Sequence, residues 1–234
     1  MSSLHLASLR PDSTRIIHRR LLSAMYVLAF LAFGVLFASE SRAANSAETF
    51  VQSTIDKTYA ILNDGALNAS EREQKFHALL VSAVDVKRVA LFTLGPYARD
   101  AAQPDVETFE RVFADFLTAV YQRGLDNYAD PKVTGSSERA RDDVIVNVTA
   151  AAANGSASRL NLAFRVRQTS SGVHVITDLQ VEGAWLALTQ RADFTAYLQQ
   201  RGANIAQLAM ELENRAAQLR LAQSEAEIRR RRGP

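Results

Sequence analysis

Residues 173–212 read VHVITDLQVEGAWLALTQRADFTAYLQQRGANIAQLAMEL. Val173, Val175, Leu179 and Val181 alternate with His174, Asp178, Gln180 and Glu182, and Ile176 and Thr177 are the exceptions. That is the period of a strand with one apolar face. Gly183 breaks the strand, and two short amphipathic helices are predicted beyond it. They carry an Arg-x-x-Phe step (Arg191, Phe194), a Gly between them (Gly202), and then Ile205, Leu208 and Leu212 at helical spacing. Asp193 is predicted to cap a helix beginning near Phe194.

Upstream the same period of two continues. Val144, Val146 and Val148 alternate with Ile145, Asn147 and Thr149. Leu160, Leu162, Phe164 and Val166 alternate with Asn161, Ala163, Arg165 and Arg167. Turn signals at Asn154-Gly155 and Ser170-Ser171-Gly172 link these runs into hairpins. A further strand is expected near Lys132–Arg139. An antiparallel meander with one apolar face needs helices to cover it.

The preceding half is helical. Phe50, Val51, Ile55, Tyr59 and Leu62 fall at helical spacing, and Asn63-Asp64-Gly65 ends the run. Ser70 to Glu73 reads as a capping box. Asp85 can cap a short helix that stops at Gly95-Pro96. From about Asp105, Phe109, Phe113, Phe116 and Val120 repeat with Leu117 and Tyr121 alongside, a wide aromatic stripe. Tyr128 and Pro131 close the helical half. The fold class is therefore α+β: N-terminal helices, a curved antiparallel sheet of about four strands, and C-terminal helices.

The N-terminus is built differently. Arg10, Arg15, Arg19 and Arg20 precede Leu21 to Ala38, 18 residues without a charge, and Ser41-Arg42-Ala43 offers small residues before a cut at Ala44. This is the layout of a secretory signal. The alternative is an inner-membrane anchor formed by residues 21–38, slightly short for the roughly 30 Å hydrocarbon core. The expected organisation is a signal peptide over 1–43, a single domain over 44–221 and a charged tail over 222–234, disordered or a frayed helix end. The chain has no Cys, so disulfides and a lipoprotein anchor are excluded. It has 27 basic and 25 acidic residues. Five basic and two acidic ones lie in the first 43, which leaves 22 against 23 in the remainder. A mildly acidic body argues against nucleic acid as a partner.

Reaction chemistry is absent as a pattern. His77 and His174 lack neighbours at metal-ligand spacing and read as structural. There is no Gly-x-Ser-x-Gly elbow and no Gly-rich phosphate loop. Asp142-Asp143 reads as a solvated turn before a strand. No catalytic residue and no metal site is expected.

Two blocks carry a family resemblance. One is the closing segment, with Val181, Gly183, Arg191, Phe194, Gly202, Ile205, Leu208 and Leu212. The other is LFTLGPYARDAAQPDVETFERVFADFLTAVYQRGLDNY, with Leu94, Gly95, Tyr97, Phe109, Phe113, Phe116, Tyr121, Leu125 and Tyr128. Together they resemble the MlaC-type periplasmic lipid-binding proteins, the toluene-tolerance auxiliary components of ABC transporters. Ala98 stands where many members have Trp, and Ala184-Trp185 departs from the usual pair after the Gly. The hopanoid-associated HpnM branch is similar.

The resemblance implies a periplasmic carrier, not an enzyme. Its lipid cargo would sit in an apolar cavity, with no other cofactor. Cavity walls are expected from Val146, Val148, Leu162, Phe164 and Val175 on the sheet, from Phe109, Phe113, Phe116 and Tyr121 on the aromatic helix, and from Trp185, Leu188, Phe194 and Leu198 in the closing segment. Implied partners are a phospholipid or a hopanoid, an inner-membrane ABC transporter complex with its substrate-binding subunit, and an outer-membrane lipoprotein–porin complex. Two other readings stay open: a small NTF2-like or cystatin-like periplasmic enzyme, and a ligand-free scaffold. Arg191 is expected to pair with Asp193 or Asp178, or to help a partner dock.

Overall fold

The computed structural model describes residues 44–125, 128–139, 143–153 and 156–232. The segment read as a signal, Asp142 and the Asn154-Gly155 turn lie outside them.

Helix α1 covers 44–62, followed by α2 (Ala69–Ala83), α3 (Val86–Leu94), α4 (Tyr97–Asp100) and α5 (Gln103–Leu125). Then come β1 (Tyr128–Arg139), β2 (Asp143–Ala152), β3 (Arg159–Gln168), β4 (His174–Val181) and the short β5 (Ala184–Trp185). Helices α6 (Leu186–Gln200) and α7 (Ile205–Arg232) close the chain. The α+β order predicted from the sequence is the order found. The five strands form one antiparallel sheet in sequence order.

Local chemistry sets most boundaries. Asp85 caps α3 by accepting from the Arg88 amide, and Gly95 ends it with φ +60. The capping box of α2 is Asn68 with Glu71, two residues before the expected Ser70–Glu73 pair. The Glu71 amide donates to Asn68 Oδ1 at 3.0 Å and Glu71 Oε2 accepts from the Asn68 amide at 2.9 Å. Both Asn and Ser can cap, so the pattern alone is ambiguous between adjacent registers. Asp193 caps nothing: α6 starts at Leu186, directly after Trp185, and Asp193 lies inside it. Residues Gly202 and Ala203 turn with positive φ, and Asn204 caps α7 through the Gln207 amide. Helix α7 continues through the charged segment to Arg232. Tyr128 and Pro131 belong to β1, and the register breaks between Ala129 and Lys132, where a Pro without an N–H fits.

The sheet register explains the two exceptions in the opening stretch. Val144, Val146 and Val148 oppose Val166, Phe164 and Leu162 across β2 and β3, so all six share a face. Between β3 and β4, Arg165 pairs with Asp178 but Val166 pairs with Ile176. Thr177 is the extra residue of a bulge, and a bulge reverses the alternation beyond it. Ile176 thus takes the Val166 face and is buried, while Val175 goes with Arg167 to the other face.

Two interiors result. Helix α1 lays Ala47 and Val51 on Val144, Val146, Val148 and Val166. The larger core lies among helices, where Phe109 and Phe113 of α5 stack at 5.7 Å and Phe194 of α6 meets both edge-on. Val106, Val112, Leu198, Leu208 and Leu212 are also buried. The helices are tied to the sheet where the Asp85 amide donates to the Ile176 carbonyl and Val84 bridges Ile176.

Candidate binding cavity

Helix α5 does two jobs along its length. Its first half is buried among helices; its last turns, through Leu117, Val120, Tyr121, Gly124 and Leu125, face a cavity of about 370 Å³. That volume falls within the range of roughly 300–1,000 Å³ usual for ligand sites. Val51, Thr54, Ile55, Thr58 and Tyr59 of α1 and Phe76, Leu79, Leu80 and Ala83 of α2 line it, with Val84 and Val89. Leu186, Ala187 and Gln190 of α6 add a third side. The sheet supplies Tyr128, Pro131, Ala150, Leu160, Leu162, Phe164, Ile176, Asp178, Leu179 and Val181.

The lining is aliphatic and aromatic, and most of its polar groups are spent on backbone. Thr54 donates to the Phe50 carbonyl, Thr58 to the Thr54 carbonyl and Tyr59 to the Tyr128 carbonyl, at 2.8, 2.9 and 3.1 Å. Among the described residues Asp178 is the one acid in the lining. Its Oδ1 accepts from the Leu179 and Ala187 amides at 2.9 and 3.1 Å. Burial pushes its carboxyl above the usual range, and those two amides and Arg165 work against the shift. The Tyr121 hydroxyl is pushed up too, first by burial and then by the nearby Asp178 charge. A second recess shares Ile55, Tyr59 and Pro131 with the cavity and is polar: Gln52, Asp56, Asp130 and Lys132. Those groups pair with one another, Gln52 donating to Asp56 at 2.9 Å and Lys132 meeting Asp130 at 3.0 Å.

Of the thirteen side chains expected to line a cavity, Tyr121, Leu162 and Phe164 do. The rest lie elsewhere. Phe109, Phe113, Phe194 and Leu198 fill the helical core, and Phe116 packs against it. Val146 and Val148 are on the correct sheet face but under α1. Val175 is carried to the other face by the bulge. Trp185 packs beneath Arg165, whose guanidinium carbon is 4.5 Å from its ring centroid. Leu188 is 59% exposed. Choosing by residue type favoured the aromatics; the lining comes mostly from Leu, Ile, Val and Ala spread over α1, α2, the end of α5, the sheet and the start of α6. One signal was available: the apolar stripe of α5 runs past Val120 to a Gly and a Leu, smaller than its aromatic start.

The remaining candidates have structural partners. His77 Nδ1 lies 3.0 Å from Thr118 Oγ1 and 3.5 Å from Asp115, and His174 stacks on Phe50. Asp143 is not a solvated turn residue. It is buried and holds Arg167, its cross-strand partner, at 2.6 and 2.7 Å. Arg191 pairs with neither Asp193 nor Asp178; its guanidinium lies 4.9 Å from the Phe92 ring centroid and against Gly95. A Cβ on Gly95 would stand 3.3 Å from Arg191 Nε, so the two resemblance blocks meet there. Among the described residues no group of three His, Cys, Asp or Glu could hold a metal ion, and no helix is long and apolar enough to cross a membrane.

The fold and cavity define an α+β container for an apolar ligand. Residues 52–214 match the family model described as MlaC protein, and the chain belongs to that family. A solved structure of a phospholipid-binding protein from Ralstonia solanacearum, in complex with a phospholipid, is similar over 74% of this chain and 98% of its own. The two are 26% identical, with a TM-score of 0.61. No curated protein sequence matches.

Proposed function

We propose that this chain is a periplasmic phospholipid carrier. The observation that carries the reading is the apolar cavity between helices and sheet, in a chain of the MlaC family whose structural relative is described with a phospholipid bound. Each acyl CH₂ taken out of water contributes about 0.8 kcal/mol. A mostly aliphatic wall, with the Thr54, Thr58 and Tyr59 hydroxyls bonded to backbone, can take acyl chains at little polar cost. Binding and release, not bond chemistry, is the activity that family membership and the bound relative support.

Residues 1–43 act as the export signal and are removed near Ala43. The mature carrier receives lipid from an outer-membrane lipoprotein–porin complex and exchanges it with an inner-membrane ABC transporter complex through its substrate-binding subunit. This maintains outer-membrane lipid asymmetry. A hopanoid is the second cargo such a cavity suits, since a rigid apolar body needs the same wall.

The test is native mass spectrometry of protein purified without detergent, followed by organic extraction and lipid identification. A phospholipid at about one per chain is expected. Protein that arrives empty and takes up nothing from phospholipid vesicles would sink the reading, and a recovered triterpenoid would select the hopanoid cargo.

A further inference from the structure

The fold leaves hydrogen-bonding capacity unused on several cavity-wall side chains, and three of these are linked to one another through β4 and α6. Asp178 of β4, Tyr121 of α5 and Gln190 of α6 all line the cavity. Asp178 is close enough to Tyr121 for its charge to help push the Tyr121 hydroxyl up. Asp178 is bonded to Ala187, which sits three residues before Gln190 on the same face of α6. Among the described residues, Asp178 Oδ1 is occupied by two amides, while its Oδ2, the Tyr121 hydroxyl and the Gln190 side-chain amide have no hydrogen-bond partner. This contrasts with Thr54, Thr58 and Tyr59 in the same cavity, whose hydroxyls bond backbone carbonyls.

Tying β4 to the start of α6 does not need a charge, and Arg165, the cross-strand neighbour that favours the ionised form, lies over Trp185 without an ion pair to Asp178. An Asn side-chain carbonyl would accept from Leu179 and Ala187 as well, without placing an ionisable group in an apolar wall. Apolar ligand sites use a few converging polar groups to orient what they bind.

We propose that Asp178, Tyr121 and Gln190 form a polar anchor that takes a hydrogen-bond donor carried by the lipid, an ammonium or a hydroxyl, with Asp178 Oδ2 as the acceptor. The inference rests on the carrier reading and adds a cargo preference to it: lipids bearing such a donor over lipids with none.

Vesicles of equal parts phosphatidylethanolamine, phosphatidylglycerol and phosphatidylcholine, matched in acyl chains, supply an ammonium, hydroxyls and no donor respectively. The purified protein is loaded from them, re-isolated, and its lipid extracted and quantified. Enrichment of about tenfold over phosphatidylcholine is expected for the lipid carrying the right donor, given the strength of charge-assisted hydrogen bonds. Enriched phosphatidylethanolamine identifies the ammonium as that donor; enriched phosphatidylglycerol identifies the hydroxyl. Asp178→Asn is expected to return the extracted mixture to the vesicle composition, and Tyr121→Phe to lower the enrichment about threefold. The two variants are read independently, so a folding failure in one leaves the other decisive.

A wild-type mixture matching the vesicles overturns the anchor, as does Asp178→Asn with undiminished enrichment. Wild-type loading from phosphatidylcholine vesicles alone separates the two readings. If that loading succeeds while enrichment fails, the carrier stands and the anchor falls; if the protein takes no lipid from either preparation, both fall.

Discussion

The two ends of α5 lie in different kinds of interior. Around Phe109 and Phe113 the space is filled: three aromatic rings interlock and both residues are fully buried. Around Tyr121 and Leu125, about five turns from the start of the helix, the side chains face a gap of about 370 Å³. One amphipathic stripe thus anchors the closing helices at one end and forms a container wall at the other. Three Phe rings join the helices at the filled end, and aliphatic side chains supply most of the surface left for cargo at the other.

Substitutions can break this comparison. The largest effect belongs to the filled end. Phe113→Ala should cost about 3–5 kcal/mol, because the ring leaves a cavity its neighbours cannot close. Chemical denaturation measures it; a loss below about 1 kcal/mol would mean that this end is not tightly packed. At the open end, Leu162→Trp adds atoms where there is space. Overpacking a filled core costs about 1–3 kcal/mol, so here the change should stay below about 1 kcal/mol while lipid co-purifying with the protein falls several-fold. Unchanged lipid content by mass spectrometry would remove Leu162 from the binding wall.

The smallest effect sharpens the comparison through charge. Folding raises the Asp178 pKa, chiefly by burial, so the folded state holds that proton more tightly than the unfolded one. The penalty is absent below the unfolded value of about 4, grows as pH rises, and is complete above the raised folded value. Asp178→Asn should therefore melt slightly higher than wild type at neutral pH, and the gap should close on acidification. Thermal melts across pH 3–7.5 check this, and a variant that melts lower at neutral pH would show that the charge itself stabilises the fold.

Much of the architecture was legible because the signals are local. Alternation over Val144–Val148 and Leu160–Val166, the Asp85 cap and the Gly95 stop need only neighbouring residues, and each appears where expected. The bulge at Thr177 left its trace as a broken alternation, but the trace did not say which side of the break faced inward. The α2 cap slipped by two residues because Asn68 and Ser70 are both competent acceptors. Asp143 looked solvated because its partner, Arg167, is 24 residues away and meets it only across the hairpin.

The cavity was legible as an expectation and not as a set of residues. Three of thirteen proposed side chains line it, because periodicity reports which positions face inward and not whether anything touches them there. By itself the sequence determined the α+β order, the apolar sheet face, both ends of α3 and the two blocks that mark the family. Only the tertiary structure decided where that interior is full and where it stays open, which side chains serve packing, and that Asp178, Tyr121 and Gln190 line one cavity. The reason is physical: a hydrophobic pattern selects burial, which is a property of one residue and water, whereas a cavity is the distance left between elements far apart in the chain.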